Sequence, residues 1–440
     1  MFCIMFSLFV EDLELYLQKR IDVGLSLNEL CLILLLFADD MVILAETPID
    51  LQSSLDTLYD YCNTWGLEVN VDKTKCVVFR KRGGLLRGES WYYGNNSCII
   101  ETVNDFNYLG VTLNYTGNFT LNTQTMYGKG LKAMNTLIAN LKKHETLTKL
   151  ALQLFDSFVG STVSYGCEIW GLSKSKQLET LHIKFCKTLL GVRQSTCNVA
   201  VYGELGRYPL YINRYVRIVK YWLKLCQSNN IIIKTIVNFE LNDSAVGKVN
   251  WFTHVKDLLS KYGFLYKWND IINNRHLRKN VDSVFISMFK QRLIDEFTQE
   301  WRNGVNSMEV LTLYKSVKES LKLEPYLNNI VSRNLRIPLT KLRVSAHSLR
   351  IQTGRYGRDR IDRNLRFCQI CNSNDIEDEF HFVFKCFPYE QVRRKYIKHY
   401  YRSRPSMLKF TLLLSTKNKP ELYMLAKFIQ EALEIRRLRL

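Results

Sequence analysis

The segment Leu30–Ala45 constrains this chain most, because it is apolar throughout except for Asp39 and Asp40 near its centre. It is short for a membrane span, which needs about 20 apolar residues, and two charges at mid-span would be costly. Two short apolar runs, Leu32–Phe37 and Met41–Ala45, joined at an acidic pair predict a buried β-hairpin instead. Adjacent carboxylates at such a tip repel each other and are desolvated by their flanks, and a divalent cation relieves both problems. Phosphoryl-transfer enzymes use such pairs to hold Mg²⁺ against nucleotide phosphates in a two-metal arrangement. By itself Ala-Asp-Asp is also what a solvated turn looks like; the apolar runs on both sides favour the metal hairpin, since a surface turn needs no such flanks.

Around this hairpin the first 115 residues read as α/β. Phe2–Gln18 has helical apolar spacing. Pro48–Trp65 is an amphipathic helix with Leu51, Leu55, Leu58, Tyr59 and Cys62 on one face. Val69–Val71 and Cys76–Arg80 are expected strands flanking a Lys-Thr-Lys turn, and Phe106–Leu113 a further strand or hairpin. From Gly128 the pattern becomes helical, with i, i+3, i+4 repeats in Lys129–Lys143, Leu147–Ser164, Lys174–Leu190 and Tyr211–Gln227, continuing to about Leu323. Residues 324–367 read as a basic connection. The end is a helix starting near Pro420, with Leu422, Leu425, Phe428, Ile429, Ala432 and Leu433 on one face.

Charge separates the chain into two parts. Residues 1–80 carry 13 acids and 5 bases, whereas the remaining 360 residues carry 29 acids and 56 bases, so the basic part suits a polyanion such as RNA or DNA. Ser332–Arg366 alone has 10 bases against Asp359 and Asp362. Twelve Cys are scattered along the chain, and Met1–Val10 lacks a basic flank before Glu11-Asp12. The expectation is therefore a reducing, intracellular compartment, nuclear or cytoplasmic, without membrane attachment.

Cys368-x2-Cys371-x9-His381-x4-Cys386 has the spacing of a zinc site: a knuckle presents two thiolates, and a later His and Cys close a tetrahedron. Its alternative is three chance Cys and a core His. Phe380, Phe382 and Phe384 are placed to pack around it. Arg350, Arg355, Arg358, Arg360, Arg363 and Arg366 lead into it, and Arg393, Arg394, Lys395 and Lys398 follow. With Tyr356, Phe367 and Tyr389 interleaved, they form a candidate nucleic-acid surface.

Five ordered segments resemble the non-LTR (LINE-like) retrotransposon reverse transcriptases. Phe37-Ala-Asp-Asp40 is similar to that family's metal-binding hairpin. Trp65-Gly-Leu-Glu-Val-Asn-Val-Asp-Lys-Thr-Lys75 resembles the next polymerase motif, Phe106-Asn-Tyr-Leu-Gly110 the primer-grip hairpin, and Tyr165-Gly-Cys-Glu-Ile-Trp-Gly171 a thumb segment. Met5–Leu13 resembles the helix after the template-positioning motif. The Cys/His cluster is similar to the family's C-terminal zinc-binding segment. The resemblance implies an α+β fold: a partial right-hand polymerase palm over 1–115, a helical thumb-like region over 116–230, a helical and basic connection over 231–367, a zinc-binding unit over 368–410 and a C-terminal helix over 411–440. It implies Asp39 and Asp40 as Mg²⁺ carboxylates and Phe106 and Tyr108 along the primer path, although half-buried strand aromatics also serve as core. Lys73 would donate a proton to leaving pyrophosphate; a solvated turn lysine is the equal alternative.

The family's polymerase needs a further palm aspartate from an earlier strand. Before Asp39 the only other aspartates are Asp12 and Asp22, neither in an apolar strand context. The expectation is an N-terminally truncated RNA-directed DNA polymerase homologue whose catalytic set is incomplete and which is inactive alone. The alternative is a non-catalytic nucleic-acid-binding protein with a zinc-stabilised C-terminal module. A purely structural helical protein with a zinc staple is disfavoured by the ordered polymerase-like segments.

Overall fold

A computed structural model of the chain describes residues 2–20, 24–27, 30–80, 89–94, 98–274, 282–356 and 360–440. Two compact units emerge, one of residues 1–125, 165–173 and 214–287, the other of residues 126–164, 174–213 and 288–440. The fold is α+β: small sheets near the start, helices through most of the remainder.

In the first unit, helices α1 (Phe2–Phe9) and α2 (Leu13–Arg20) replace the single helix expected from periodicity. The break at Val10–Asp12 has a tertiary cause. The Tyr61 hydroxyl donates to Asp12 Oδ1 at 2.6 Å, and the turn presses Val10, Leu13 and Leu17 against Leu55, Leu58 and Tyr61. Helix α3 spans Pro48–Trp65, as the apolar spacing requires. Thr47 caps its first turn, Pro48 occupies its first position, and Gly66 at φ 63° ends it.

Strands β1 (Leu25–Leu27) and β2 (Leu30–Leu32) form one hairpin, and β3 (Leu34–Phe37) and β4 (Asp40–Ile43) the next, in register Leu34↔Ile43 to Phe37↔Asp40. The expectation of a buried hairpin is corrected. Ile33 and Leu34 reach the core, but Leu35, Leu36 and Phe37 are exposed. The physical reason is that β3 and β4 pair only with each other among the described residues, so no third strand covers them.

Val69–Val71 is not a strand. Asn70 accepts from the Lys73 N–H through its side chain at 3.1 Å, and its carbonyl takes the Thr74 N–H at 3.0 Å, so the chain turns where a ladder was expected. The strand expected over Cys76–Arg80 shrinks to β5 (Lys75–Cys76), which pairs parallel with β7 (Cys98–Thr102), itself antiparallel to β6 (Trp91–Tyr93). β8 (Asp105–Tyr108) and β9 (Val111–Asn114) form the final hairpin. Helix α4 then begins at Thr120, before the expected Gly128, and runs to Lys143.

In the second unit the helices Lys176–Leu190, Asn198–Leu205, Arg333–Arg343 and Lys419–Arg439 surround a core containing Phe155, Phe185, Tyr314, Tyr326, Phe382 and Phe428. The stretch read as a basic connection contains a packed helix: Arg333–Arg343 lies against Lys419–Arg439. Arg343 is fully buried, with its guanidinium donating to Glu204, Glu324 and the Leu414 carbonyl. Bases counted in the sequence as surface charge are thus partly internal.

Candidate metal centres and nucleic-acid interface

The two-residue turn between β3 and β4 consists of Ala38 and Asp39, with Ala38 at φ 54°. A left-handed conformation at a residue with a side chain costs about 1–2 kcal/mol, so the surrounding pairing holds it. Asp39 and Asp40 are both exposed at the tip. Tyr108 on β8 lies close enough for Asp40 to act on it: burial first, and the Asp40 charge second, raise its hydroxyl above the ordinary value. Among the described residues no third His, Cys or carboxylate joins the pair into a larger metal-binding group.

The hairpin carrying Tyr108 turns at Leu109 (φ 46°) and Gly110 (φ 83°). Two positive φ values in a two-residue turn match the twist of the strands, and Gly is favoured there. A Cβ on Gly110 would stand 2.8 Å from the Tyr165 ring, and the Tyr165 hydroxyl donates to the Leu109 carbonyl at 3.0 Å. A Cβ on Gly166 would meet Val111 at 2.8 Å. The two distant segments, Phe106–Gly110 and Tyr165–Gly171, are therefore one packed feature. Phe106 is half-buried, and Lys73 is exposed at the Asn70 turn, with no hydrogen bond or ion pair to Asp39 or Asp40 among the described residues.

In the second unit the donor atoms of Cys368, Cys371, His381 and Cys386 all lie within 4.8 Å of one another. Cys368 Sγ and Cys386 Sγ are 3.9 Å apart, and Cys371 Sγ is 3.4 Å from His381 Nε2. Zinc bonds of about 2.3 Å to sulfur and 2.0–2.1 Å to nitrogen, at tetrahedral angles, put S···S near ~3.8 Å and S···N near ~3.5 Å. The Cys368–Cys386 and Cys371–His381 pairs thus stand at ligand spacing. The Cys386 thiol donating to Cys368 drives Cys368 toward thiolate, and the same contact with burial pushes Cys386 up. Local chain geometry sets this up. Phe367 bridges Ile376, the Cys368 N–H donates to the Asp375 carbonyl, and Asn372 and Asn374 take positive φ to close the knuckle. His381 Nδ1 is buried without a hydrogen bond and faces Asp375 Oδ2 at 3.6 Å, the position of a carboxylate that orients a ligating imidazole.

Sequence reasoning missed the supports of this cluster. Glu377 accepts two bonds from buried Arg436, at 2.9 and 2.8 Å, and a third from the Arg350 N–H at 2.8 Å. Glu379 pairs with His347 at 2.7 Å. None of these partners is near in sequence, so no local pattern announces them. Phe382 and Phe384 are buried, and Phe380 packs on Phe384 and Phe410.

The arginines divide. Arg360 and Arg363 are exposed, and Arg350 and Arg355 are half-buried. Arg358 lies outside the described residues. Arg366 is buried, and its guanidinium donates to the Ile361 and Ile351 carbonyls at 2.8–2.9 Å, so it faces inward. Burial, then repulsion from Arg355, Arg360 and Arg363, lowers Arg366 from its ordinary value. Arg393 is also internal, donating to the Val383 and Cys386 carbonyls, and Tyr389 is buried. Tyr356 remains exposed.

Comparison with known proteins bears on these features. The sequence pattern of the reverse transcriptase (RNA-dependent DNA polymerase) family matches residues 3–113. The RNA-directed DNA polymerase from mobile element jockey of Drosophila melanogaster is 27% identical over 142 residues, 32% of this chain and 15% of that protein. A transposon-derived protein of Caenorhabditis elegans is 30% identical over 153 residues, 34% of this chain and 53% of its own length. The chain thus spans only part of each relative.

Proposed function

Taking the chain as a relative of LINE-like reverse transcriptases, we infer that Asp39 and Asp40 are its contribution to a divalent-metal site for nucleotidyl transfer on RNA or DNA. The observation that carries this reading is the Ala38 turn. A left-handed residue precedes two successive carboxylates, both in solvent at the hairpin tip, and the Asp40 charge acts on Tyr108. Mg²⁺ takes oxygen ligands and keeps several waters, so two carboxylates with open positions suit an ion that also meets substrate phosphates. Lys73, exposed in the turn after α3, is free to approach a leaving pyrophosphate.

The fit is partial. With no third ligand beside the pair among the described residues, the remaining ligands come from water, phosphates or additional polypeptide. Residues 1–440 alone are accordingly expected to bind nucleic acid without extending a primer. Primer extension with Mg²⁺ or Mn²⁺, wild type against Asp39→Asn, tests this; Asp39-dependent product from the isolated chain overturns the incomplete-site reading.

Cys368, Cys371, His381 and Cys386 would hold zinc, which here ties the knuckle to the helical segment that follows it. Metal analysis should find about one zinc per chain, lost in Cys371→Ser; a metal-free, folded wild type removes the assignment. Beside this unit, Arg360 and Arg363 are exposed and Arg355 is half-buried on the stretch leading to Cys368. That observation favours a second role, phosphate binding without chemistry, on the same chain. No helix among the described residues is long and apolar enough to cross a membrane.

A further inference from the structure

Gly166, the short helix Cys167–Trp170 and the Leu210–Cys226 helix border an open cleft of about 440 Å³. This lies within the roughly 300–1,000 Å³ range of ligand sites. Its rim is cationic. Arg217, Lys220 and Lys224 stand at i, i+3 and i+7, on one side of the helix. At 1.5 Å per residue they span about 10 Å along the helix.

The acid in the cleft, Glu168, is engaged by Arg217, whose Nη2 and Nε stand 2.6 and 2.8 Å from its Oε1. Lys220 and Lys224 are exposed, and no ion pair among the described residues engages either. Ile169 and Tyr221 supply an apolar wall that strengthens the field of the cations.

The cleft is rigidly placed within the first unit. The Trp251 indole N–H donates to the Glu168 carbonyl at 3.0 Å, and Tyr221 packs edge-on to Trp251 at 5.9 Å. Tyr165, one residue before the cleft, is bonded to Leu109, next to Tyr108 and hence near Asp40.

We propose that this cleft is a phosphate-backbone site for a nucleic-acid strand, read without sequence preference, with Lys220 and Lys224 as its principal contacts. The proposal rests on the reading above that the chain holds nucleic acid. A line of ammonium groups along one side of a helix acts on phosphates as point charges, and phosphate contacts position a strand without carrying sequence information.

The test compares the full chain with Lys220→Gln/Lys224→Gln, by fluorescence anisotropy on single-stranded RNA and DNA of several sequences, from 50 to 200 mM salt. Losing two single-strand phosphate contacts lowers the slope of log K against log salt by about 1.4. The affinity gap between wild type and variant should then narrow about 7-fold across that range. The loss should be alike for all sequences, and a loss restricted to RNA would assign the site to RNA. Glu168→Gln should tighten binding, because it removes a negative charge from the cationic rim; a merely structural acid would not act in that direction. An unchanged slope in the double variant, or weaker binding by folded Glu168→Gln, overturns the proposal. A wild type that binds neither RNA nor DNA at 50 mM salt sinks the nucleic-acid reading itself, and this proposal with it.

Discussion

Arg343→Met is the most informative single change in the second unit. Arg343 and Glu204 are both fully buried, with the Arg343 Nε 2.5 Å from Glu204 Oε1. The guanidinium also reaches Glu324 at 2.8 Å and the Leu414 carbonyl at 2.5 Å. Methionine retains much of the apolar stem but removes every donor. Glu204 then keeps the Tyr326 hydroxyl, 3.0 Å away, as a side-chain donor. A buried charge stripped of its partner costs about 3–5 kcal/mol. That is a large part of a typical stability of roughly 5–15 kcal/mol. Because a chain with two units need not unfold in one step, the assay is native-state hydrogen exchange with peptides from 324–343 and 407–414. The expected result is a drop in opening free energy of about 3 kcal/mol or more there, with nucleic-acid affinity unaltered in the protein that remains folded. Adding Glu204→Gln to the variant should recover part of the loss, because the orphaned charge is gone. A cost under about 1 kcal/mol, or a double variant worse than the single one, would refute the buried-pair argument.

Other expectations follow from the same physics. His182 is fully buried, stacked on Phe155, and accepts from Arg207 Nε at 3.2 Å; burial first, and then Arg207, hold it well below its ordinary value of 6.5. The folded state therefore binds fewer protons than the unfolded one below pH 6.5. The second unit should lose about 1.4 kcal/mol per pH unit as pH falls from 6.5 toward the folded value, and His182→Gln should flatten that dependence in denaturant titrations. Gly110→Ala sets a Cβ 2.8 Å from the Tyr165 ring at φ 83° and should cost about 1–3 kcal/mol, read as a lower melting temperature. Arg360→Gln with Arg363→Gln should weaken nucleic-acid binding at low salt and leave thermal stability within about 0.5 kcal/mol, since both side chains are exposed; affinity equal to wild type would remove them from the interface.

Helix α3 was legible to the residue, because a Pro at its first position, a Gly just past its end and an apolar stripe between them are local signals that agree. That Cys368, Cys371, His381 and Cys386 would come together was also legible, since they lie within one short stretch of chain and their donor atoms fall within 4.8 Å of one another. The β8–β9 hairpin could be placed, but the reason its Gly110 is needed could not, because the Tyr165 ring arrives from far along the chain. The arginine run misled in part. Composition counts Arg336, Arg343 and Arg366 with Arg360 and Arg363, although the first three are buried among carbonyls or carboxylates and the last two face solvent.

The sequence by itself determined which side chains have chemistry to offer: an acidic pair in an apolar run, three thiols with an imidazole, and a large excess of cations after residue 80. Only the tertiary structure decided which of them are available. Whether an arginine binds phosphate or braces a core depends on the groups that surround it, and desolvation makes a buried cation dependent on partners that lie, for Glu204 and Arg343, 139 residues apart. The same holds for the acidic tip. Its residues were evident from local pattern, but its exposure follows from β3 and β4 pairing only with each other among the described residues, a property of strand neighbours that no single segment encodes.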